Sequence, residues 1–299
     1  MTAHTTTHGT PVGHAPGASI DARRAHVHGM WSAVAASWAE YADFTDARHA
    51  ENARTLLDLT SPQPGERVLE LACGAGGLGL AAAERVGTDG VVVLSDVAPE
   101  MTAIAAERAA AAGAANVQTR LLDLERVAEP DGSYDVVLCR DGMQFAFDPA
   151  AAALEVHRLL RPGGRFAVAV WGPRERNPWL GLVFDAVAAL LGRPVPPPGV
   201  PCPFSLSDPT ALAALFRTAA LADVHVRELD IPLHAPNFDQ WWRTTSALAG
   251  PLAGVLAGLP DSARAVLVDH LHTAVLPYVS PTGSVDLPGL GLIASGRRL

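Results

Sequence analysis

The residues best suited to chemistry in this chain of 299 lie close together, between Arg67 and Gly79, in the stretch RVLELACGAGGLG. The apolar positions Val68, Leu69 and Leu71 are interrupted by a carboxylate at Glu70. They are followed by the glycine turn Gly74-Ala75-Gly76-Gly77-Leu78-Gly79 and an alanine-rich run from Leu80 to Arg85. Strand, glycine turn and helix together let a backbone approach a nucleotide closely, because a side chain at Gly74 or Gly76 would stand where the ligand must come. The spacing satisfies G-x-G-x-x-G. Asp96 follows about twenty residues on, where an acid can accept a hydrogen bond from each hydroxyl of a ribose.

Two ligand classes fit this pattern, a dinucleotide such as NAD and S-adenosylmethionine, and Glu70 separates them. A pyrophosphate is repelled by a nearby carboxylate. S-adenosylmethionine has no phosphate and carries an ammonium and a sulfonium, which a carboxylate favours. With an acid in its first strand and then Leu71-Ala72-Cys73-Gly74-Ala75-Gly76, the chain resembles the class I S-adenosylmethionine-dependent methyltransferases. It departs from their pattern at Ala72, where many members have a further glycine; alanine is the mildest replacement. The turn Leu159-Leu160-Arg161-Pro162-Gly163-Gly164-Arg165 before an apolar run is typical of the same family. The resemblance is close over roughly residues 60 to 172 and points to the branch holding ubiquinone/menaquinone C-methyltransferases and actinobacterial natural-product enzymes.

That resemblance implies S-adenosyl-L-methionine as cofactor. Asp96 takes the place of the ribose-binding acid, with Val97 beside it. Met101 stands where the family packs an apolar side chain on the adenine ring, although a helix-opening core methionine would read the same. Asp123 resembles the acid that accepts the adenine amino group, with Leu124 next to it, and a solvated loop acid is the alternative. Glu70, Ala72, Gly74, Gly76 and Arg140 complete the implied cofactor set.

These residues require a doubly wound α/β sheet to hold them. The expected fold is a seven-stranded Rossmann-like sheet with an antiparallel last strand at its edge and a mainly helical lid. Its strands are read at the Val68–Leu71 run and at Val91–Leu94, Asn116–Leu122, Ser133–Arg140, Phe166–Trp171, Val224–Leu233 and Leu290–Ser295. Helices are read at Met101–Ala112, Pro149–Leu160, Trp179–Leu191, from the Asp208 cap to Leu221, and at Phe238–Leu256 and Ser262–Tyr278. Pro194 to Pro203 is too proline-dense for a helix or a central strand. Ile20 to Leu59 reads as helical, with Trp31, Val34, Trp38 and Tyr41 in an apolar stripe and Asp46 placed to cap a second helix. Such a stripe packs on a core, closes over a ligand, or does both. The organisation expected is a disordered tail at 1–18, a helical cap at 19–59, and a methyltransferase domain at 60–299 with lid insertions at about 175–205 and 236–286.

Arg140-Asp141-Gly142-Met143-Gln144-Phe145 follows the fourth strand, at the sheet edge where ligands of such folds sit. Asp141 and Gln144 are therefore site candidates. Methyl transfer asks the protein mainly for position and a dry pocket, with a general base where the acceptor is a hydroxyl or an acidic carbon. His26, His28, His49, His234, His270 and His272 could supply that base, and no spacing chooses among them. His28 is favoured for lying in the segment that would close on the site, and Asp141 for its strand-end position. The two insertions carry Trp179, Phe184, Phe204, Phe238, Trp241, Trp242 and Tyr278 with few charges, which suits an apolar or aromatic small molecule. Trp31, Tyr41, Gln144, Trp179 and Trp241 are the substrate-contact candidates, each with core packing as its alternative.

The function implied is O- or C-methylation of such a molecule in secondary metabolism. The alternative is an enzyme that keeps the fold and the bound cofactor but catalyses a cyclisation or isomerisation. No aromatic-Pro-Pro-aromatic run of the amino-group and nucleic-acid methylating relatives is present; Arg140-Asp141-Gly142-Met143 stands in its place.

Composition bounds the rest. A net charge of −9 argues against a nucleic-acid partner. All 22 basic residues are arginine, which excludes lysine Schiff-base chemistry, the phosphate-loop lysine and the Tyr-x-x-x-Lys pair of short-chain dehydrogenases. Cys73, Cys139 and Cys202 form neither a metal pattern nor an even disulfide set, so no metal is expected and a cytoplasmic setting with reduced thiols is. No signal peptide and no membrane span is read, and a two-fold dimer is the base-rate expectation. His4, His8 and His14 are too irregularly spaced to make a metal site.

Overall fold

A computed structural model describes residues 20–299; the expected tail at 1–18 lies outside the described residues. The main sheet contains β1 (Arg67–Leu71), β2 (Val91–Asp96), β3 (Val117–Leu121), β4 (Tyr134–Arg140), β5 (Leu160–Trp171), β6 (Ala222–Asp230) and a last strand, while β7 (Leu233–Ala235) and β8 (Val285–Leu287) pair apart from it. The last strand is β9 (Leu290–Arg297), and the order across the seven-stranded sheet is β3-β2-β1-β4-β5-β9-β6. β1 lies between β2 and β4, parallel to both, with Leu69 opposite Val93 on one side and Val137 on the other. Val68 to Leu71 and Tyr134 to Cys139 are buried throughout, because helices cover both faces.

β9 runs antiparallel, as expected, but it lies one place in from the edge. β6 holds the edge, two positions from β5, and β9 fills the slot between them. The Pro-Gly-Gly turn is absorbed into β5. Leu160 pairs with Tyr134 and Arg165 with Val136, so the intervening residues bulge, and Gly163 takes φ 80°.

Three helices precede the sheet, α1 (Ile20–Glu40), α2 (Ala42–Arg48) and α3 (Ala50–Thr60). Asp46 caps nothing. It lies inside α2, and its carboxylate reaches Arg108 at 2.7 Å and Arg140 at 3.3 Å, because the helix breaks fall at Tyr41 and His49 instead. Helices α4 (Gly77–Val86), α5 (Pro99–Ala111), α6 (Pro149–Leu159), α7 (Pro178–Leu191) and α8 (Pro209–Thr218) follow in the order read from the sequence. Asp208 caps α8 by accepting from the N–H groups of Thr210 and Ala211.

The stretch expected as one helix from Phe238 is two, α9 (Phe238–Leu248) and α10 (Gly250–Ala257), with Gly250-Pro251 starting the second. α11 (Asp261–Val275) completes the set. The strand expected to run on to Leu233 stops at Asp230, ahead of Pro232, whose missing N–H cannot serve a ladder. Leu233 then pairs with Leu287 in the separate two-stranded sheet. Those two strands, α7 and α9 to α11 share an apolar core of their own, in which Val183, Phe184, Trp241, Leu252, Leu267 and Leu271 are buried.

Candidate active site

The carboxyl ends of β1, β2 and β4 open on a cavity with about 1090 Å³ of empty space, closed on its other side by α1 and α2. The glycine turn forms its floor. Ala72, Gly74 and Gly76 all take left-handed conformations, with φ of 52°, 53° and 84°. A Cβ built on Gly74 would meet nothing nearer than Trp38 at 3.8 Å, so that glycine faces open space, as expected of a backbone a ligand approaches. Gly76 differs from the sequence expectation. A Cβ there would press on Leu94 at 3.0 Å and Ala105 at 3.1 Å, behind the turn, so packing rather than ligand access demands the glycine. Ala72 holds a conformation that costs a residue with a Cβ about 1 kcal/mol or more.

Glu70 also departs from expectation. It is not part of the cavity wall. Strand alternation turns it under α4, where it is buried and its carboxylate accepts from the Gly79 N–H at 2.8 Å. Burial pushes its carboxyl up to about 8, against the pull of Arg140 and of the Gly79 N–H. From there it braces the glycine turn and does not line the cavity.

Asp96 does line the cavity. One of its oxygens accepts from the Gly74 N–H and the other from the Ala98 N–H, each at 3.0 Å, which ties the end of β2 to the turn. Burial raises its carboxyl pKa and these N–H groups oppose the rise. Val97, Met101, Leu122, Asp123 and Leu124 continue the wall on this side, and Arg140 and Asp141 continue it from β4. Arg24, paired with Glu125, and His28, Trp31, Trp38, Asp46 and His49 come from the N-terminal helices. The ion pairs from Asp46 to Arg108 and Arg140 pin α2 to α5 and to the end of β4.

A second cavity, with about 670 Å³ of empty space, adjoins the first. Trp31, Trp38, Thr45, His49, Asp141 and Phe145 wall both. Phe44, Arg48, Gln144, Trp171, Trp179, Leu180 and Phe184 belong to the second alone. Gln144 is buried there, with neither its amide nitrogen nor its amide oxygen hydrogen-bonded among the described residues.

At the junction stands a histidine–carboxylate pair. Nε2 of His49 lies 3.3 Å from Oδ2 of Asp141, and Nδ1 lies 2.9 Å from the Thr45 carbonyl oxygen. A carbonyl only accepts, so Nδ1 carries the proton and Nε2 is left as the basic nitrogen, facing Asp141. Burial lowers the His49 pKa; hydrogen bonding and charge from Asp141 oppose that. A proton on Nε2 would be shared with Asp141. Asp141 itself takes φ 57°, a left-handed conformation that turns its side chain toward the histidine at the strand end.

The other histidines are placed differently. His28 faces the first cavity, on the side of Asp96. His234 pairs with Asp286, His272 stacks on Phe238, His270 is exposed, and the side chain of His26 lies outside the described residues. Two substrate-contact candidates fall away. Tyr41 lies at the break between α1 and α2, outside both cavity walls. Trp241 is fully buried in the second core, packed on Phe238, with its indole N–H donated to the Trp179 carbonyl. Trp31, Gln144 and Trp179 do face a cavity. No local signal raises His49 above its peers, because any residue one helical turn back offers the carbonyl that fixes the ring; its contact with Asp141 is what sets it apart.

Comparison with known proteins agrees with this geometry. Residues 62–177 match the family model described as a methyltransferase domain. The chain is 36% identical over 204 residues to the nocamycin O-methyltransferase of Saccharothrix syringae, covering 62% of this chain and 69% of that protein. It is 36% identical over 114 residues to the aklanonic acid methyltransferase DauC of Streptomyces sp. (strain C5), covering 38% and 52%. Against the ubiquinone/menaquinone biosynthesis C-methyltransferase UbiE of Ectopseudomonas mendocina it is 35% identical over 133 residues, covering 44% and 52%. Thus the chain spans about half the length of the last two. In fold it is similar to the YcgJ protein of Bacillus subtilis, with TM-score 0.56, 21% identity and coverage of 84% and 100%. It is also similar to Haemonchus contortus phosphoethanolamine N-methyltransferase 2, solved in complex with S-adenosyl-L-methionine, with TM-score 0.51, 19% identity and coverage of 83% and 53%.

Proposed function

Since the chain belongs to the class I S-adenosylmethionine-dependent methyltransferases, we propose that it methylates an oxygen of an apolar, aromatic small molecule in natural-product biosynthesis. The observation that carries the reading is the His49–Asp141 pair at the junction of two cavities, one suited to a nucleoside and one to an apolar acceptor.

The first cavity fits the cofactor. The open face of Gly74 admits a ligand against the backbone, and the Asp96 carboxylate suits a vicinal diol. Met101 and Leu124 offer apolar surface for the adenine, Asp123 an acceptor for its amino group. Val97, His28, Ala72 and Arg140 complete the wall. Bound there, S-adenosylmethionine supplies an activated methyl group on sulfur.

The chain's own residues do the rest. Trp31, Trp38, Phe145, Trp171 and Trp179 exclude water from the acceptor. The unpaired amide of Gln144 orients it. The acceptor's hydroxyl proton passes to the His49–Asp141 pair, where Nε2 and the Asp141 carboxylate share it while the Thr45 carbonyl holds the proton on Nδ1. Within this reading α7 and α9 to α11, with their separate core, act as the lid.

The test begins with thermal unfolding in S-adenosylmethionine, S-adenosylhomocysteine and NAD. Ligand at about a hundred times its Kd adds about 2.7 kcal/mol. For a chain of this size that is a rise on the order of 5 °C. A rise with NAD alone overturns the cofactor reading. With an acceptor found by screening, His49→Gln should lower turnover by a factor of about 10² to 10⁴ and leave the S-adenosylhomocysteine shift intact. A product that forms without consumption of the methyl donor would instead establish the cyclisation or isomerisation reading.

A further inference from the structure

We propose that the second cavity selects an acceptor bearing an anionic oxygen group, and that Arg48 is the residue that holds it. This rests on the methyl-transfer reading for the word acceptor, while the observations behind it are independent of the cofactor.

Arg48 closes α2, and its guanidinium lies over two tryptophans, 4.0 Å from the Trp179 ring centre and 5.1 Å from that of Trp171. Its Nε and one terminal nitrogen donate to the backbone carbonyls of Pro232 and Ile231, both at 3.3 Å. The other terminal nitrogen has no hydrogen-bond partner among the described residues. Nor does any carboxylate of the described residues come within 4.0 Å of the group.

Its neighbours show how unusual this is. Arg24 is paired with Glu125, and Arg108 and Arg140 with Asp46. The guanidinium is half-buried, with no carboxylate at ion-pair distance and only the more distant charge of Asp141 acting on it, and a partly desolvated cation so placed gains from a close anion. Aromatic faces and carbonyl dipoles compensate in part, and an incoming anion would complete the site. The planar guanidinium fork suits a carboxylate, a sulfonate or an ionised vinylogous acid equally.

Position within the cavity adds detail. Burial pushes the Arg48 guanidinium down to about 9, with Asp141 opposing, so it keeps its charge at neutral pH. Asp141, just past β4, and His49, just past α2, are the titratable groups that face it across the cavity; Trp171 of β5, Trp179 of α7 and the Ile231-Pro232 backbone bring no charge. An anion is repelled from the Asp141 side and drawn to the Arg48 side. Arg48 belongs to the second cavity alone, so the anionic end of the acceptor lies away from the cofactor and its methyl-accepting oxygen lies toward His49.

The experiment uses two fluorescent probes with one aromatic skeleton, 8-anilinonaphthalene-1-sulfonate and its neutral parent N-phenyl-1-naphthylamine. Each is titrated into the full chain with S-adenosylhomocysteine present. Arg48→Met should weaken the sulfonate probe by about tenfold or more and change the neutral probe by less than about threefold. Equal weakening of both probes, or of neither, overturns the proposal. In the unaltered protein, 2-naphthoate should displace the neutral probe about tenfold more tightly than 2-naphthamide does, and equal displacement again overturns it, so the answer does not depend on the variant folding. Failure of the cofactor reading is seen separately, as the absence of any thermal shift with S-adenosylhomocysteine.

Discussion

Replacing Glu70 by Gln asks whether a buried acid carries a proton or a charge. Its carboxyl sits under α4, accepting from the Gly79 N–H at 2.8 Å, and burial pushes it up to about 8 while Arg140 and the N–H pull the other way. Its ordinary value is 4.5. Between those two values the folded chain holds a proton that the unfolded chain has released. Stability from this group is therefore full below about pH 4.5 and is lost as pH rises toward 8, at about 1.4 kcal/mol per pH unit. The slope flattens near the folded value, so the loss from pH 6 to pH 8 is about 2 kcal/mol. Gln keeps the accepting oxygen and has no proton to lose. Urea unfolding of both proteins at pH 6, 7 and 8 isolates the effect, because every other titrating group is common to the pair. The stability of the unaltered protein relative to Glu70→Gln should fall by about 2 kcal/mol across that range. Parallel curves would refute the reasoning: the carboxyl would then be ionised in the fold, and the original attraction of Glu70 as a negative charge beside a cationic ligand would be restored.

Other substitutions around the turn have signs fixed by the geometry. Gly76→Ala sets a Cβ against Leu94 and Ala105 at φ 84° and should cost about 1 to 3 kcal/mol, read by urea unfolding. Ala72→Gly releases a left-handed alanine and should gain about 1 kcal/mol in the same assay; a loss would mean that the Cβ packing of Ala72 outweighs its strain. Asp96→Asn removes a charged acceptor from the cavity wall and should weaken S-adenosylhomocysteine by about tenfold or more in calorimetry, an unchanged affinity placing the ribose elsewhere.

The sheet was legible because its strands are continuous apolar runs, as at Val136 to Cys139, and because glycine and proline punctuate them. The cofactor-side residues were legible through motif spacing, and most of them do meet at one cavity. The same spacing could not tell Gly74, which faces space, from Gly76, which faces Leu94 and Ala105, since both are simply glycines in a turn. Nor could it show that Glu70 points under α4. β7 and β8 have three residues each, too few to carry a period. Trp241 and Trp179 look alike as aromatics in an insertion; only packing makes one a core residue and the other a cavity wall. His49 gained its place from a contact with Asp141 across the fold, which no local pattern encodes.

The second cavity has an unequal parentage. Of its walls, Asp141, Gln144, Phe145 and Trp171 fall inside the matched segment 62–177, while every other one comes from the helices before it or the chain after it. The sheet thus acts as a chassis, and most of this cavity's lining is bolted on from either side of the matched segment. Exchanging residues in α1, α2 or α7 would reshape this cavity while leaving the glycine turn and Asp96 untouched.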